Sequence, residues 1–274
     1  MSTFADYKDR YETIALQRSK SGVLEMRLHS NNGPYVWDFH GIVRDKKANR
    51  GGTHAELADC FGQVAHDPDN RVVIMTGTGD VFSGPPNTQE GYPRGDADYW
   101  DILRSTATQL IMNLLDIEVP MIACLNGPAS RHAELPFGAD IVLAAEDAWI
   151  QDSSHFPNRQ PPGDGIAIIL PFLMGWNRGR YWLYMGQELG AREMKEYGLV
   201  SEVLPREKLL PRAWEIAEHL AKSSPLILRY TRLITTAPIK TLVQQYFGYS
   251  FALEALACIQ ESGGKVPGGF RWDD

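Results

Sequence analysis

Cysteine is scarce in this chain of 274 residues: Cys60, Cys124 and Cys258 are all there are. They lie far apart, odd in number and without paired spacing, which excludes a disulfide framework and a cysteine zinc site. Each sits in an apolar run, where a small buried thiol is the simplest reading. Long apolar runs are missing too. No window reaches the roughly 18 apolar residues of a membrane span, and the polar, charged stretch from Met1 to Arg10 holds no signal-peptide core. A cytoplasmic chain that does not associate with membranes is expected. Nor is there a basic block. With 34 Asp and Glu against 27 Lys and Arg the formal charge is -7, the wrong sign for neutralising a phosphate backbone, so nucleic acid is not an expected partner.

Missing motifs narrow the chemistry further. There is no Gly-x-x-x-x-Gly-Lys loop, and Gly77-Thr78-Gly79 is too short for a dinucleotide fingerprint. The histidines lack the i, i+4 helical pairing of a zinc protease, and no Gly-x-Ser-x-Gly elbow marks a serine hydrolase. No metal and no cofactor are expected.

What is present is an alternation of short strands and helices. The runs Thr13–Leu16 and Val23–Leu28, separated by Ser19-Lys20-Ser21-Gly22, read as a hairpin. A polar stretch from Asn31 to Gly52, broken only by Tyr35-Val36-Trp37, reads as an extended surface loop. Helical spacing follows over Glu56–His66, then a buried strand over Arg71–Thr76, a helix from Asp98 to Leu115, and strands over Met121–Leu125 and Ile141–Ala145. Such alternation argues for an α/β fold with parallel pairing. From Arg206 onward, Leu209–Leu220, Pro225–Ile234 and Lys240–Ile259 all carry helical periodicity, and no strand-like run remains. The chain is thus expected to divide into an α/β core over 1–205 and a helical region over 206–274, whose glycine-rich tail after Ser262 is loose.

Three colinear groups of residues carry a resemblance. The first is Arg71–Gly79 with Phe82-Ser83-Gly84, and the second is Ile122–Ala129 continued by Ala139–Ala148. The third is Pro162-Gly163-Asp164-Gly165 with Gly186–Met194 and Tyr197–Leu204. Over residues 11–260 the chain resembles the crotonase (enoyl-CoA hydratase/isomerase) superfamily, which implies a spiral of ββα units with a C-terminal helical region. The departures from that family are informative. Where crotonases carry a glycine run whose backbone N–H helps hold a thioester oxyanion, this chain reads Ser130-Arg131-His132-Ala133. Where they carry Ala-Gly-x-Asp, it reads Gly84-Pro85-Pro86-Asn87, and proline has no N–H to donate. A hydratase of the family also uses two glutamates; Glu134 falls near the place of the first, whereas the second falls around Ser153.

These departures, with Glu134-Leu135-Pro136, Gln151-Asp152-x-x-His155-Phe156-Pro157, Asn177-Arg178-Gly179-Arg180-Tyr181 and Glu254-Ala255-Leu256-Ala257, resemble the β-diketone hydrolase branch typified by 6-oxocamphor hydrolase. The resemblance implies hydrolytic cleavage of a carbon–carbon bond in a (bi)cyclic 1,3-diketone, by water attack and enolate departure, giving a keto acid without CoA. It implies that His155 and Asp164 form a water-activating dyad, and that His132 and Glu254 serve the substrate and its enolate. Trp37 and His54 resemble pocket residues, and a trimer or hexamer of the chain is implied as well. The stretch Asp38–Thr53 is longer than in that relative, so the shape of the substrate does not carry over.

The residue types suit that chemistry. Cleaving a 1,3-diketone with water needs a base for the water, donors for the attacked carbonyl and a stabiliser for the departing enolate. Histidine titrates near neutrality, and a carboxylate on its other ring nitrogen fixes the tautomer. His155 and Asp164 are nine residues apart across a loop rich in Pro and Gly, a spacing that permits contact without forcing it; a solvated loop histidine is the plain alternative. His132 reads either as a donor replacing backbone N–H groups or as a surface histidine beside Arg131. Glu254, among Phe251, Leu253, Ala255 and Leu256, lies either at the edge of an apolar face or in a pocket with a raised pKa. His54 could equally begin a helix after Thr53. Two other functions stay open, because fold alone does not fix chemistry: a CoA-dependent hydratase, isomerase or acyl-CoA hydrolase acting through Glu134 and Asp164, and a non-catalytic assembly subunit.

Overall fold

A computed structural model of the chain describes residues 2–37, 52–84 and 94–263. Most of the polar stretch from Asp38, the Pro85-Pro86-Asn87 triplet and the tail from Gly264 lie outside the described residues.

Strands β1 (Ile14–Arg18) and β2 (Val23–Leu28) pair antiparallel in the register Ile14–Leu28 to Arg18–Leu24. Gly22 closes their turn at φ 86°, where a Cβ would meet Asp69 O at 2.7 Å, so the turn requires glycine. Beyond the hairpin the sheet continues in parallel through β3 (Val72–Thr76), β4 (Met121–Leu125) and β5 (Ile141–Ala145). Every residue of β3 and β4 is buried, which is why both read as unbroken apolar runs. Strands β6 (Trp149–Ile150) and β7 (Leu189–Gly190) form a separate antiparallel pair, and β8 (Glu202–Leu204) adds to β5 in parallel. The main sheet therefore runs β1-β2-β3-β4-β5-β8.

The helices are α1 (Phe4–Tyr7), α2 (Gly52–Ala65), α3 (Ala97–Leu115), α4 (Ile166–Met174), α5 (Trp176–Met185), α6 (Ala191–Glu196), α7 (Arg206–Leu220) and α8 (Pro225–Glu261). Helix α3 packs between α2 and α8, and α8 also contacts α4. None of the helices among the described residues is long and apolar enough to cross a membrane.

Two features depart from the sequence expectation. Helix α4, unexpected from the sequence, carries no clean periodic stripe, because Ile166–Met174 is apolar on all sides. The segments Pro225–Ile234 and Lys240–Ile259, expected as separate helices, are one helix of 37 residues that runs through Pro238. Proline breaks a helix when nothing compensates for its lost hydrogen bond. Here Leu228, Arg232, Thr236, Ile239, Val243, Phe247, Phe251, Glu254 and Cys258 form one buried stripe across it, so tertiary packing holds the helix together. Arg232 anchors that stripe. Its side chain donates to Ile117 O at 2.5 Å, Gly138 O at 3.1 Å and Asp140 Oδ2 at 2.6 Å, tying α8 to the end of α3 and the start of β5.

Candidate active site

The backbone ahead of His132 is held from two sides. Ala129 bridges both Ser83 and Ile150; Ser130 N donates to Ser83 O at 2.9 Å, and Gln151 N donates to Ala129 O at 3.2 Å. His132 then adopts φ 46°, a left-handed conformation that glycine takes without strain and other residues rarely occupy. A glycine-like backbone thus persists although the residue is histidine. The imidazole is buried against Trp37, with ring centroids 4.2 Å apart.

His132 Nδ1 lies 2.7 Å from Glu134 Oε1, and His132 Nε2 lies 2.7 Å from Nε2 of His54, in the first turn of α2. Burial and the neighbouring His132 hold His54 well below the ordinary imidazole range. For His132, burial alone would lower the pKa, but the carboxylates of Glu134 and Asp164 outweigh it and raise it. When His132 is charged, it donates Nδ1–H to Glu134 and Nε2–H to a neutral His54, whose own proton then sits on Nδ1.

His155 stands on the loop after β6. The turn Phe156–Asn158 follows it, and Asn158 N and Gln160 N donate to His155 O at 2.7 and 3.1 Å, which fixes its backbone. His155 Nδ1 lies 2.7 Å from Asp152 Oδ1, with both residues buried. Its Nε2 is 3.6 Å from Asp164 Oδ2 and 3.7 Å from Glu254 Oε1. The carboxylate hydrogen-bonded to the ring is thus Asp152, while Asp164, the expected partner of the dyad, faces the other nitrogen beyond direct hydrogen-bond range. Asp152 reaches Nδ1 from three residues earlier on the same loop. Asp164 is held at the start of α4, where Ile166 N donates to its Oδ1 at 3.4 Å. Because Asp164 Oδ2 is also 3.6 Å from His132 Nδ1, this carboxylate stands between the two imidazoles.

Glu254 comes from α8, and Gln160 Nε2 donates to its Oε1. Burial raises its carboxyl to about 7, a rise that His155 opposes and Asp164 adds to. For His155, burial disfavours the imidazolium, but Asp164, Asp152 and Glu254 more than offset this and push it up to about 10.

His54, His132, His155, Asp164 and Glu254 line one pocket together with an apolar group of Tyr99, Trp100 and Leu103 from α3 and Phe251 from α8. Trp37, expected to bind substrate, is fully buried, packs against His132 and His54, and is not among the described residues that line the pocket. Sequence reasoning missed Asp152, Gln160 and the apolar group. A signal for part of them existed, since Tyr99 and Leu103 (i, i+4) and Phe251 and Glu254 (i, i+3) share helix faces. Four carboxylates, Glu134, Asp152, Asp164 and Glu254, are buried to within 8% of full exclusion beside three imidazoles. Burying so many ionisable groups is costly, which makes the cluster a candidate functional site rather than a source of stability. His132, Glu134 and Asp164 also have donor atoms within 4.8 Å of one another, close enough to hold a metal ion. The approaches of His132 Nδ1 to Glu134 Oε1 at 2.7 Å and to Asp164 Oδ2 at 3.6 Å account for that proximity.

Residues 45–251 match the sequence model of the Enoyl-CoA hydratase/isomerase family. The chain belongs to this family. Its fold is the crotonase fold of solved family members. A β-diketone hydrolase from the cyanobacterium Anabaena, bound to (S)-3-oxocyclohexyl acetic acid, is 37% identical with a TM-score of 0.85, over 94% of this chain and 97% of that one. An enoyl-CoA hydratase/isomerase from Mycobacterium paratuberculosis has the same fold at 19% identity and a TM-score of 0.76, over 92% and 95% of the two chains. In sequence, the 1,2-epoxyphenylacetyl-CoA isomerase of Escherichia coli is 31% identical over 173 residues, 61% of this chain and 65% of that enzyme. A carnitinyl-CoA dehydratase of Salmonella enteritidis is 28% identical over 230 residues, 81% and 85% of the two chains. Both CoA-dependent enzymes and a diketone hydrolase thus stand among the relatives of this family member, and its chemistry has to be argued from the site.

Proposed function

We propose that this chain hydrolyses a carbon–carbon bond between the carbonyls of a (bi)cyclic 1,3-diketone, giving a keto acid without CoA. The observation that carries the reading is the pair of buried imidazoles, His132 and His155, on either side of Asp164 in one pocket. Water adds to one carbonyl carbon as its proton passes to His155 Nε2. The adduct then breaks its bond to the carbon between the carbonyls, and that electron pair leaves as an enolate. His132 supplies its Nε2–H to the oxygen that gains charge, in the place where backbone N–H groups serve other crotonases. A substrate oxygen there competes with His54 for the Nε2–H. Glu254, raised to about 7, gives a proton to the enolate carbon and recovers one from His155. The apolar group suits the hydrocarbon body of such a substrate. The relative bound to (S)-3-oxocyclohexyl acetic acid, itself a keto acid, supports the reading.

CoA-dependent chemistry is the second reading, favoured by the names of the CoA-dependent relatives. Against it, Glu134, near the place of the first hydratase glutamate, is fully buried against His132 and does not line the pocket. A panel of cyclic 1,3-diketones followed by loss of enol absorbance, with calorimetry on an acyl-CoA, tests both. Diketone turnover without acyl-CoA binding is expected; acyl-CoA turnover with no diketone consumed would overturn the proposal.

A further inference from the structure

We propose that Asp152 is the positioning residue of His155, holding Nδ1 so that Nε2 is the nitrogen committed to the pocket. The two groups are 2.7 Å apart, and each residue is only 2% exposed. An ionised carboxylate can only accept, so the ring proton lies on Nδ1. The lone pair of neutral His155 is then on Nε2, which faces Asp164 Oδ2 at 3.6 Å and Glu254 Oε1 at 3.7 Å. Those separations are too long for direct hydrogen bonds and leave space for an oxygen among the three groups. If Asp164 were the orienting carboxylate instead, the proton would lie on Nε2 and the lone pair would point away from the pocket. The distances decide between these arrangements, because the contact of 2.7 Å is a hydrogen bond and that of 3.6 Å is not. Asp164 is thereby left on the reacting side, between the two imidazoles.

The charged and titratable groups around His155 come from four elements. Asp152 is on its own loop, Asp164 precedes α4, Glu254 is on α8, and His132 follows β4 with Arg131, which donates to Ser154 Oγ. Removing Asp152 leaves Asp164 and Glu254 in place. The ring then titrates below its wild-type value, and its tautomer is no longer fixed.

The inference rests on His155 being the proton-transfer group of the proposed hydrolysis, but its first test needs no substrate. Histidine-selective nitrogen NMR of the full chain, titrated from neutral to strongly alkaline pH, reports the tautomer and titration of His155. Wild type is expected to show the Nδ1–H tautomer once neutral, and Asp152→Asn to titrate at lower pH. With a diketone that wild type turns over, Asp152→Asn is expected to lower kcat about 10²–10⁴-fold while leaving KM nearly unchanged. A wild-type Nε2–H tautomer would overturn the assignment, as would an Asp152→Asn protein with unchanged His155 titration and kcat. Failure to find a diketone substrate would count against the proposed function and leave the spectroscopic answer standing.

Discussion

His54 and His132 face each other through their Nε2 atoms at 2.7 Å, an attractive contact only when one ring donates and the other accepts. The rise in the His132 pKa and the fall in that of His54 favour the arrangement in which a charged His132 donates to a neutral His54. His132 reaches this place from a left-handed backbone at φ 46°, which costs a residue with a Cβ about 1–2 kcal/mol and glycine nothing. His132→Gly is therefore expected to be more stable than His132→Ala by about 1 kcal/mol. Both should lose about 10²–10³-fold in kcat, the usual effect of removing one such donor. Denaturant melts and turnover of the two variants check this; equal stabilities would remove the case for backbone strain.

Gly163 lets the loop that carries Asp164 lie against α8. A Cβ there would stand 2.2 Å from Glu254 Oε2, 2.8 Å from Glu254 Cβ and 3.0 Å from Ser250 O. Gly163→Ala is expected to destabilise the chain by about 1–3 kcal/mol through overpacking. By moving Glu254 or Asp164 it should also lower kcat about 10²-fold. A thermal melt with a turnover assay measures both, and wild-type kcat would show that this approach does not set the site geometry.

Self-association is expected from the exposed apolar surface. Phe172, Leu173, Trp176 and Tyr181 on α4 and α5, with Ile227, Tyr230 and Ile234 on α8, are all at least 39% exposed, more apolar surface than a lone chain usually leaves open. Light scattering should return three or six times 30.7 kDa, and replacing Ile227 and Ile234 by glutamate should reduce that mass. A single-chain mass at micromolar concentration would exclude the assembly.

The strands were legible where one physical constraint dominated. The hairpin β1–β2 showed through its turn residues, and β3, β4 and β5 through burial that makes them wholly or nearly wholly apolar. Helix α8 reads from periodicity as two segments, Pro225–Ile234 and Lys240–Ile259, and only the packed stripe on either side of Pro238 reveals that the helix continues. At the site, the gathering of His132, His155, Asp164 and Glu254 was legible from resemblance, but their pairing was not. Asp152 and Asp164 lie three and nine residues from His155, and spacing alone does not say which carboxylate reaches Nδ1. The burial of Trp37 behind His132 depends likewise on three dimensions, since an aromatic residue in a polar stretch reads equally well as a pocket wall.

The raised pKa values fix how stability depends on pH. Glu254 moves from 4.5 to about 7 and His155 from 6.5 to about 10. Each group holds its proton more tightly folded than unfolded, so its contribution is full below the unfolded value and is lost as pH climbs through the folded one. Folded stability should therefore decline through both windows. His155→Ala should flatten the upper decline and Glu254→Gln the lower. Denaturant melts at fixed ionic strength and stepped pH measure these slopes, and a wild-type stability that rises from neutrality to pH 10 would contradict the assignment of His155.

Catalysis responds to the same two groups in a different way. The proposed mechanism needs neutral His155 to take a proton and protonated Glu254 to give one. Yet the group that must be deprotonated has the higher value, about 10, and the group that must be protonated has the lower, about 7. Between those values the pair as a whole carries one proton, and a fixed minor fraction has it on Glu254 rather than His155. That fraction is small, which lowers the rate, but neutral His155 is then a strong base, which partly offsets the loss. The total carrying one proton stays constant across the window, so kcat/KM should be flat from about pH 7 to about pH 10 and fall on both sides. Glu254→Gln should slow the enzyme and move the lower limb upward toward the His155 value, itself reduced because a neighbouring carboxylate is gone. Initial rates at limiting diketone, measured from pH 5 to the edge of the folded range, give the profile. A wild-type kcat/KM that climbs tenfold per pH unit from 7 to 10 would mean that His155 governs alone and Glu254 is not the proton donor.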